Sequence, residues 1–249
     1  MEVLYKRPST IVEDGTHGYC PGCFHGTAVK LVCELIDEMG LKDDTAHIFG
    51  IGCAGNAWQW VTFDCFESPH GRAPAYATAY KRTNPNEFVV TYQGDGDLAS
   101  IGIAEIIHAA NRGENFSVVF INNGTYGMTG GQMAPTTLIG QKASTAPFGR
   151  IPEQHGYPLD ICKLLASLVA PAYLERVTMT DVPNILKAKA AIKKAFQNQL
   201  DGKGFSLVEV VSNCPTNWGL SPLETIDYIN ENTLKTYPLG VYRDKDAGI

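Results

Sequence analysis

Several things are scarce in this 249-residue chain, and each scarcity excludes something. There is no apolar run of about 18 residues, so no membrane-spanning helix is expected. There is no cluster of Lys or Arg, and 20 basic against 26 acidic residues leave a net charge of −6. Nucleic acid and anionic membrane surfaces are therefore poor partners. Met1 to Pro8 has no apolar core followed by a small-residue cleavage site, so a signal peptide is not expected and a cytoplasmic location is. Charged residues are only 18% of the chain while apolar residues are 44%, which excludes a disordered or fibrous chain. Disulfide stapling is excluded too: seven cysteines are an odd number in a long chain, and they read as core residues, metal ligands or redox groups.

What is present alternates. Apolar positions from His25 to Met39 follow a helical period and stop at Gly40. Short buried strands are expected at 46–51, 88–92, 116–121, 173–179 and 205–211. Helices are expected near 75–81, at 98–111, 159–168 and 182–197. Residues 52–87 read as loop-rich, and 124–159 as a long Gly-, Thr- and Pro-rich segment of the kind reserved for function or a partner. Alternating strands and helices imply an α/β layered fold with a mostly parallel sheet. No repeat or linker interrupts it, so residues 1–249 are read as one domain, with an irregular arm (1–24) and a C-terminal tail (212–249).

The most informative unit runs from Gly94 to Thr125. A buried strand ends in Gly94-Asp95-Gly96, a helix follows, and a second buried strand ends in Asn122-Asn123. That is a βαβ unit of about 30 residues, with both strand ends at the carboxyl edge where such sheets bind ligands. Asp95, Asn123 and a nearby main-chain carbonyl would form a hard oxygen site suited to Mg²⁺. Gly94 and Gly96 would let a pyrophosphate approach the backbone, and the helix start after Asp97 would stabilise its charge. This arrangement resembles the thiamine diphosphate fold, whose metal ligands match Asp95, Asn123 and the carbonyl of Thr125. Gly127 and Met128 would then lie near the diphosphate.

The cysteines form the second unit. Cys20 and Cys23 make a C-x2-C pair, Cys53 follows Gly50-Ile51-Gly52, and Cys214 precedes Pro215. Thiolates from separate loops can close one centre, and Gly-rich neighbours offer N–H groups to inorganic sulfur. Structural zinc and a dithiol redox pair remain open on spacing alone. Beside a thiamine site the iron–sulfur reading gains weight, because an electron-removing enzyme needs an acceptor there. Cys33 and Cys162 sit on apolar helix faces and read as core, and Cys65 is a reserve ligand.

Together the two units are similar to the thiamine-binding β subunit of the 2-oxoacid:ferredoxin (acceptor) oxidoreductases. The resemblance rests on Tyr19-Cys20-Pro21-Gly22-Cys23, Gly50 to Cys53, His70 to Ala73, Tyr92 to Ala99, Ile106 to Gly113, Met128 to Gln132 and Cys214-Pro215. It implies a three-layer thiamine diphosphate-binding fold and a [4Fe–4S] cluster on Cys20, Cys23, Cys53 and Cys214, to which arm and tail both contribute. It also implies thiamine diphosphate and Mg²⁺ beside that cluster, near Ile51, Gly52, Cys53, Ala54, His70, Gly71, Gly94, Gly96 and Asp97. The implied reaction is CoA-dependent oxidative decarboxylation of a 2-oxoacid, with electrons passed to ferredoxin. α/γ-type partner subunits and a ferredoxin-like electron-transfer protein are implied, and the activating Glu belongs to a partner, so the chain alone is expected to be inactive.

The chain departs from the family's motif at Phe24 and in the aromatic run Ala54 to Trp60. That run offers two indoles and no Lys or Arg. If it faces the substrate, an apolar 2-oxoacid is expected, branched-chain or aryl such as phenylglyoxylate, with 2-oxoglutarate or pyruvate as alternatives. A non-redox thiamine decarboxylase or synthase with structural zinc is the other alternative. His70 is the candidate catalytic residue, His25 the expected helix cap, His108 a packing residue, and Trp58, Trp60 and Phe63 candidate pocket walls.

Overall fold

Runs such as Phe88-Val89-Val90-Thr91-Tyr92 and Ser117 to Ile121 are apolar throughout because their strands lie between two helical layers. The computed structural model describes residues 6–249; the first five residues of the stretch read for a signal peptide, and of the arm, lie outside them. The strands are β1 (Thr45–Phe49), β2 (Asp64–Glu67), β3 (Phe88–Gly94), β4 (Ser117–Asn122), the short pair β5 (Thr125–Tyr126) and β6 (Gln132–Met133), β7 (Tyr173–Thr178), β8 (Ser206–Val211) and β9 (Gly240–Asp244). The helices are α1 (Phe24–Glu38), α2 (Ala73–Thr83), α3 (Ile103–Arg112), α4 (Pro152–His155), α5 (Ile161–Ala166), α6 (Val182–Leu200), α7 (Pro215–Trp218), α8 (Pro222–Tyr228) and α9 (Leu234–Thr236).

The seven-stranded sheet has the order β2-β1-β3-β4-β8-β7-β9. Every pairing is parallel except β7 with β9. Side chains alternate between its faces. Tyr92, Val119, Ile121 and Val208 join α1 and α6 in one core, while Val89, Val118, Phe120 and Leu207 join α2, α3 and α5 in the other. The result is three layers.

Besides the short β5–β6 pair, two strands of the seven-stranded sheet escaped the sequence reading. β2 lies in the stretch read as loop and β9 in the tail, at opposite edges of the sheet. Edge strands pair on one side only, so they lack the apolar run that marks a buried strand. The helix expected over 98–111 is two pieces: a π-helical turn at Gly96–Ile101, then α3. The π turn closes with the Gly102 N–H donating to the Asp97 carbonyl at 2.8 Å, and Gly102 is glycine because a Cβ there would stand 2.4 Å from the Gly71 carbonyl oxygen. His25 is not a cap. It lies inside α1, almost fully buried, and the Phe24 N–H is instead held by Asn213 Oδ1 at 3.0 Å. His108 is exposed on α3 rather than packed.

Two buried arginines organise what regular structure does not. Arg150 donates to the carbonyls of Pro135, Thr137, Gly156 and Tyr157 at 2.7–2.8 Å, which orders the long segment 124–159. Arg176, on β7, lies 2.9 Å from Glu209 on β8, and both side chains are fully buried. Glu209 also accepts from Asn122 Nδ2 at 2.8 Å, and the guanidinium stands 5.1 Å from the Tyr237 ring centre. Each buried charge is held by the other, and removing one would strand its partner.

His47 on β1 stacks between Phe49 and Phe63, with ring centres 4.2 and 5.4 Å away, and neither ring nitrogen has a partner. Burial pushes its pKa down to about 3. The unfolded chain takes up this proton near pH 6.5 while the folded chain refuses it. This residue's contribution is therefore intact above pH 6.5 and falls by about 1.4 kcal/mol per pH unit below it, down to about pH 3. His47→Phe should flatten that part of the acid-stability profile. Denaturant unfolding at pH 7 and pH 5 checks this, with an unchanged difference between the two pH values as the opposing result.

Candidate functional site

The chain leaves β1 towards β2 on one side and returns as β3 on the other. The crevice between diverging connections at the carboxyl ends of β1 and β3 is where parallel sheets bind ligands. Three loops open into it: Ile51–Ala54 after β1, Asp95–Asp97 after β3, and Asn123–Thr129 after β4.

Asp95 is the centre of this crevice and is almost completely buried. Its Oδ1 accepts the Gly96 N–H at 2.9 Å. Its Oδ2 accepts the Gly124 N–H and the Thr136 hydroxyl, both at 2.6 Å. Burial nevertheless lifts its pKa to about 6, because three donors do not replace water. The Asn122-Asn123 pair divides by strand alternation: Asn122 turns under the sheet to Glu209, and Asn123 lines the cavity, its Oδ1 accepting the Thr125 N–H at 3.1 Å. Gly94 has open space where its Cβ would be, as a backbone approached by a ligand requires. Gly96 is glycine for a different reason, since a Cβ there would meet the Tyr126 ring at 2.3 Å.

Asp97 lies on the cavity wall, yet its carboxylate serves the protein. Oδ1 accepts the Gly71 N–H at 2.7 Å and lies 2.5 Å from His70 Nδ1, while Oδ2 accepts Gln93 Nε2 at 2.6 Å. It therefore positions the His70-Gly71 loop against the cavity. His70 lines that cavity; Gly71 does not reach it except through Asp97.

Cys20, Cys23, Cys53 and Cys214 line one cavity of about 390 Å³, next to the first. They come from the arm, the start of α1, the loop after β1 and the loop after β8. A Cβ on Gly127 would stand 3.2 Å from Cys53 Sγ and 3.5 Å from Cys214 Sγ. Burial, reinforced by the neighbouring cysteines, pushes the Cys23 thiol up to about 12 and Cys53 to about 11. Among the described residues, no three His, Cys, Asp or Glu side chains converge on a single-ion position. The four thiols border this one cavity together. His25, Cys53, Asn123, Gly127 and Met128 border both this cavity and the one around Asp95.

Other candidates fall elsewhere. Cys33 and Cys162 are fully buried in opposite cores. Cys65 sits on edge strand β2, paired with His47, away from the thiol ring. The aromatic segment does not wall either cavity with its indoles: Trp58 is half exposed, Trp60 borders an outer groove beside the arm, and Phe63 stacks on His47. Thr136, Gln93 and Asn217 are the residues sequence reading missed. Gln93 carried a signal in lying within the Tyr92 to Ala99 motif, and Thr136 in its place in the long Thr- and Pro-rich segment.

A family model described as "Thiamine pyrophosphate enzyme, C-terminal TPP binding domain" matches residues 50–210. The ketoisovalerate oxidoreductase subunit VorA of Methanothermobacter marburgensis is 46% identical over 98% of this chain and 51% of its own length. The chain thus spans about half of that relative. The 2-oxoglutarate synthase subunit KorB of Methanocaldococcus jannaschii is 37% identical over 88% of this chain and 78% of its own. A structure of 2-oxoglutarate:ferredoxin oxidoreductase from Magnetococcus marinus superposes with a TM-score of 0.79 at 26% identity, covering 98% of this chain and 86% of that one.

The Asp95 cradle makes a direct stability prediction. Thr136→Val keeps the shape and removes a hydroxyl donor to a buried carboxylate, which should cost about 1.5–3 kcal/mol. Chemical denaturation measures it; a loss under 0.5 kcal/mol would show that the cradle does not need this donor.

Proposed function

Because the chain belongs to the thiamine diphosphate-binding β subunits of the 2-oxoacid:ferredoxin oxidoreductases, we propose that with partner subunits it oxidatively decarboxylates a 2-oxoacid to its acyl-CoA and passes electrons to ferredoxin or a similar acceptor. The observation that carries this reading is the wall shared by the Asp95 cavity and the four-thiol cavity. A reaction centre and a one-electron acceptor need that proximity.

Asp95, Asn123 and the Thr125 carbonyl are the ligands proposed for Mg²⁺. They are hard oxygen donors, and no Lys or Arg lines the cavity to neutralise a diphosphate, so a divalent cation fits that need. Gly94 and Gly96 belong to the proposed diphosphate-binding backbone. Ile51, Gly52, Ala54, Gly127 and Met128 flank it. Cys20, Cys23, Cys53 and Cys214 are the proposed [4Fe–4S] ligands, a reading supported by the single cavity they share and by its wall in common with the Asp95 cavity. When bound, thiamine diphosphate supplies an electron sink for decarboxylation and the cluster accepts electrons singly.

The chain's own residues hold and orient. Asp97 Oδ1 lies 2.5 Å from His70 Nδ1, and His70, on the cavity wall, is the proposed catalytic residue. Among the described residues no glutamate lines the cavity, in keeping with a partner subunit as the proposed source of the activating Glu. The substrate proposal is a branched-chain 2-oxoacid. It rests on the 46% relative named for ketoisovalerate and on cavities without a Lys or Arg for a second carboxylate. The indoles after Cys53 no longer contribute to that argument.

Three experiments on the reconstituted complex test the reading. Ala variants of Cys20, Cys23, Cys53 and Cys214 should each lose iron and acid-labile sulfide, while those of Cys33, Cys65 and Cys162 keep them. Asp95→Ala should keep iron and lose Mg²⁺-dependent thiamine diphosphate retention. Zinc in place of iron, or normal cofactor retention by the Asp95 variant, would sink the assignments. In steady-state assays kcat/KM for 2-oxoisovalerate should exceed that for 2-oxoglutarate by about tenfold or more, the scale set by a buried carboxylate without a cation. The reverse order would overturn the substrate class alone.

A further inference from the structure

Asn217 lies in α7, three residues after Cys214, and is half-buried. Its side-chain amide has two hydrogens, and both partners lie at the boundary between the two cavities. Nδ2 donates to the Gly127 carbonyl oxygen at 2.9 Å and to Cys214 Sγ at 3.2 Å. The turn around it leaves no slack. A Cβ on Gly127 would stand 3.7 Å from Asn217 Nδ2, and a Cβ on Gly131 would stand 2.9 Å from Asn217 Oδ1. Gly131 also has φ +82°, which an L side chain resists. One amide is thus clasped between the loop that lines the Asp95 cavity and a thiol of the four-cysteine ring.

We infer that Asn217 is a positioning residue that couples the two centres: one N–H tunes the cluster through the Cys214 sulfur, and the other fixes the Gly127 loop against the cofactor cavity. The inference rests on the cofactor and cluster assignments proposed above. Its physics is simple. A hydrogen bond to a thiolate sulfur stabilises the more negative, reduced cluster and raises its potential. The same amide holds Gly127 and Met128 at the cofactor cavity. Occupying that cavity must therefore shift the cluster's potential, and the oxidation state of the cluster must shift cofactor affinity by the same factor. Asn217 touches no reacting atom, so its effect is read in potential and affinity rather than in chemistry.

The test is an EPR-monitored redox titration of the intact complex, with and without thiamine diphosphate, for wild type, Asn217→Ala and Asn217→Asp. Both variants should have a lower midpoint potential than wild type, the Asp variant lower still because its carboxylate sits beside the sulfur. Thiamine diphosphate should dissociate several-fold faster from both. The potential shift on removing thiamine diphosphate, present in wild type, should shrink in the variants. Full iron content with unchanged potential and unchanged cofactor dissociation would overturn the inference. If either variant fails to retain iron, the wild-type pair of titrations decides, and no shift on cofactor removal overturns the coupling. A wild-type complex without iron would instead sink the cluster assignment, and this inference with it.

Discussion

The buried carboxylate of Asp95 is the constraint around which the rest is arranged. An anion taken out of water must be surrounded by donors, and here they come from Gly96 beside it and from Gly124 and Thr136 in the long segment after β4. That requirement ties the end of β3 to the end of β4 and to the Thr136 turn. It then propagates. The Thr136 carbonyl accepts the Tyr237 hydroxyl at 2.9 Å, and Tyr237 lies against Arg176. Arg176 pairs with Glu209, Glu209 holds Asn122, and Asn122 is the neighbour of Asn123 at the cavity. The polar path leaves the site on one side and returns to it on the other. It crosses the sheet from β7 to β4 without reaching solvent, which makes it rigid: no member can turn away without leaving a buried group unpaired.

The two carboxylates of the Gly94-Asp95-Gly96-Asp97 run divide the work. Asp95 accepts from the loops that follow β3 and β4. Asp97 reaches the other way, to the His70-Gly71 loop and Gln93. Room for Asp97 is made by Gly50, where a Cβ would lie 2.3 Å from Asp97 Oδ2. Gly71 and Gly102 allow two backbones to touch. The widened π turn between Asp95 and Gly102 follows from this crowding and is not a helix defect, since it lets the chain serve both carboxylates before α3 resumes regular winding.

Much of this was legible in the sequence because the signals are local. Buried parallel strands announce themselves as apolar runs, and strand-turn-helix units by their spacing. Gly94-Asp95-Gly96, Asn123 and the cysteine motifs mark strand ends and loops, and the fold brings them together. What was not legible depends on contacts between distant segments. Nothing in Asp64 to Glu67 says that it pairs with β1, and nothing around His25 says that its Nδ1 meets the Tyr92 hydroxyl at 2.9 Å. Trp58 and Trp60 sit near Cys53 in sequence, yet the 3₁₀ helix Cys53–Trp60 sends one to solvent and the other to the core. Proximity in sequence to a cavity residue was mistaken there for proximity to the cavity. Thr136 and Asn217 are ordinary residues whose importance lies wholly in what they are folded against.

Charge is the last consideration, and it bears on substrate. The two adjoining cavities hold Asp95, Asp97 and four thiols on their walls, and no Lys or Arg. On the proposed assignments, phosphate oxygens and thiolates are added to that list, all of them negative. Only inorganic cations, here Mg²⁺ and the iron of a cluster, and the donors of the surrounding backbone offset them. A monocarboxylate substrate with an apolar tail adds one negative charge at the reacting end and loses it as carbon dioxide. A dicarboxylate would add a second that stays. In a cavity already rich in negative charge that second carboxylate needs a cation of its own, and this chain supplies none on either wall. A subunit that used such a substrate would have to import an Arg or Lys from a partner. The proposed preference for a branched apolar tail therefore rests on what both walls lack among the described residues, rather than on the indoles after Cys53.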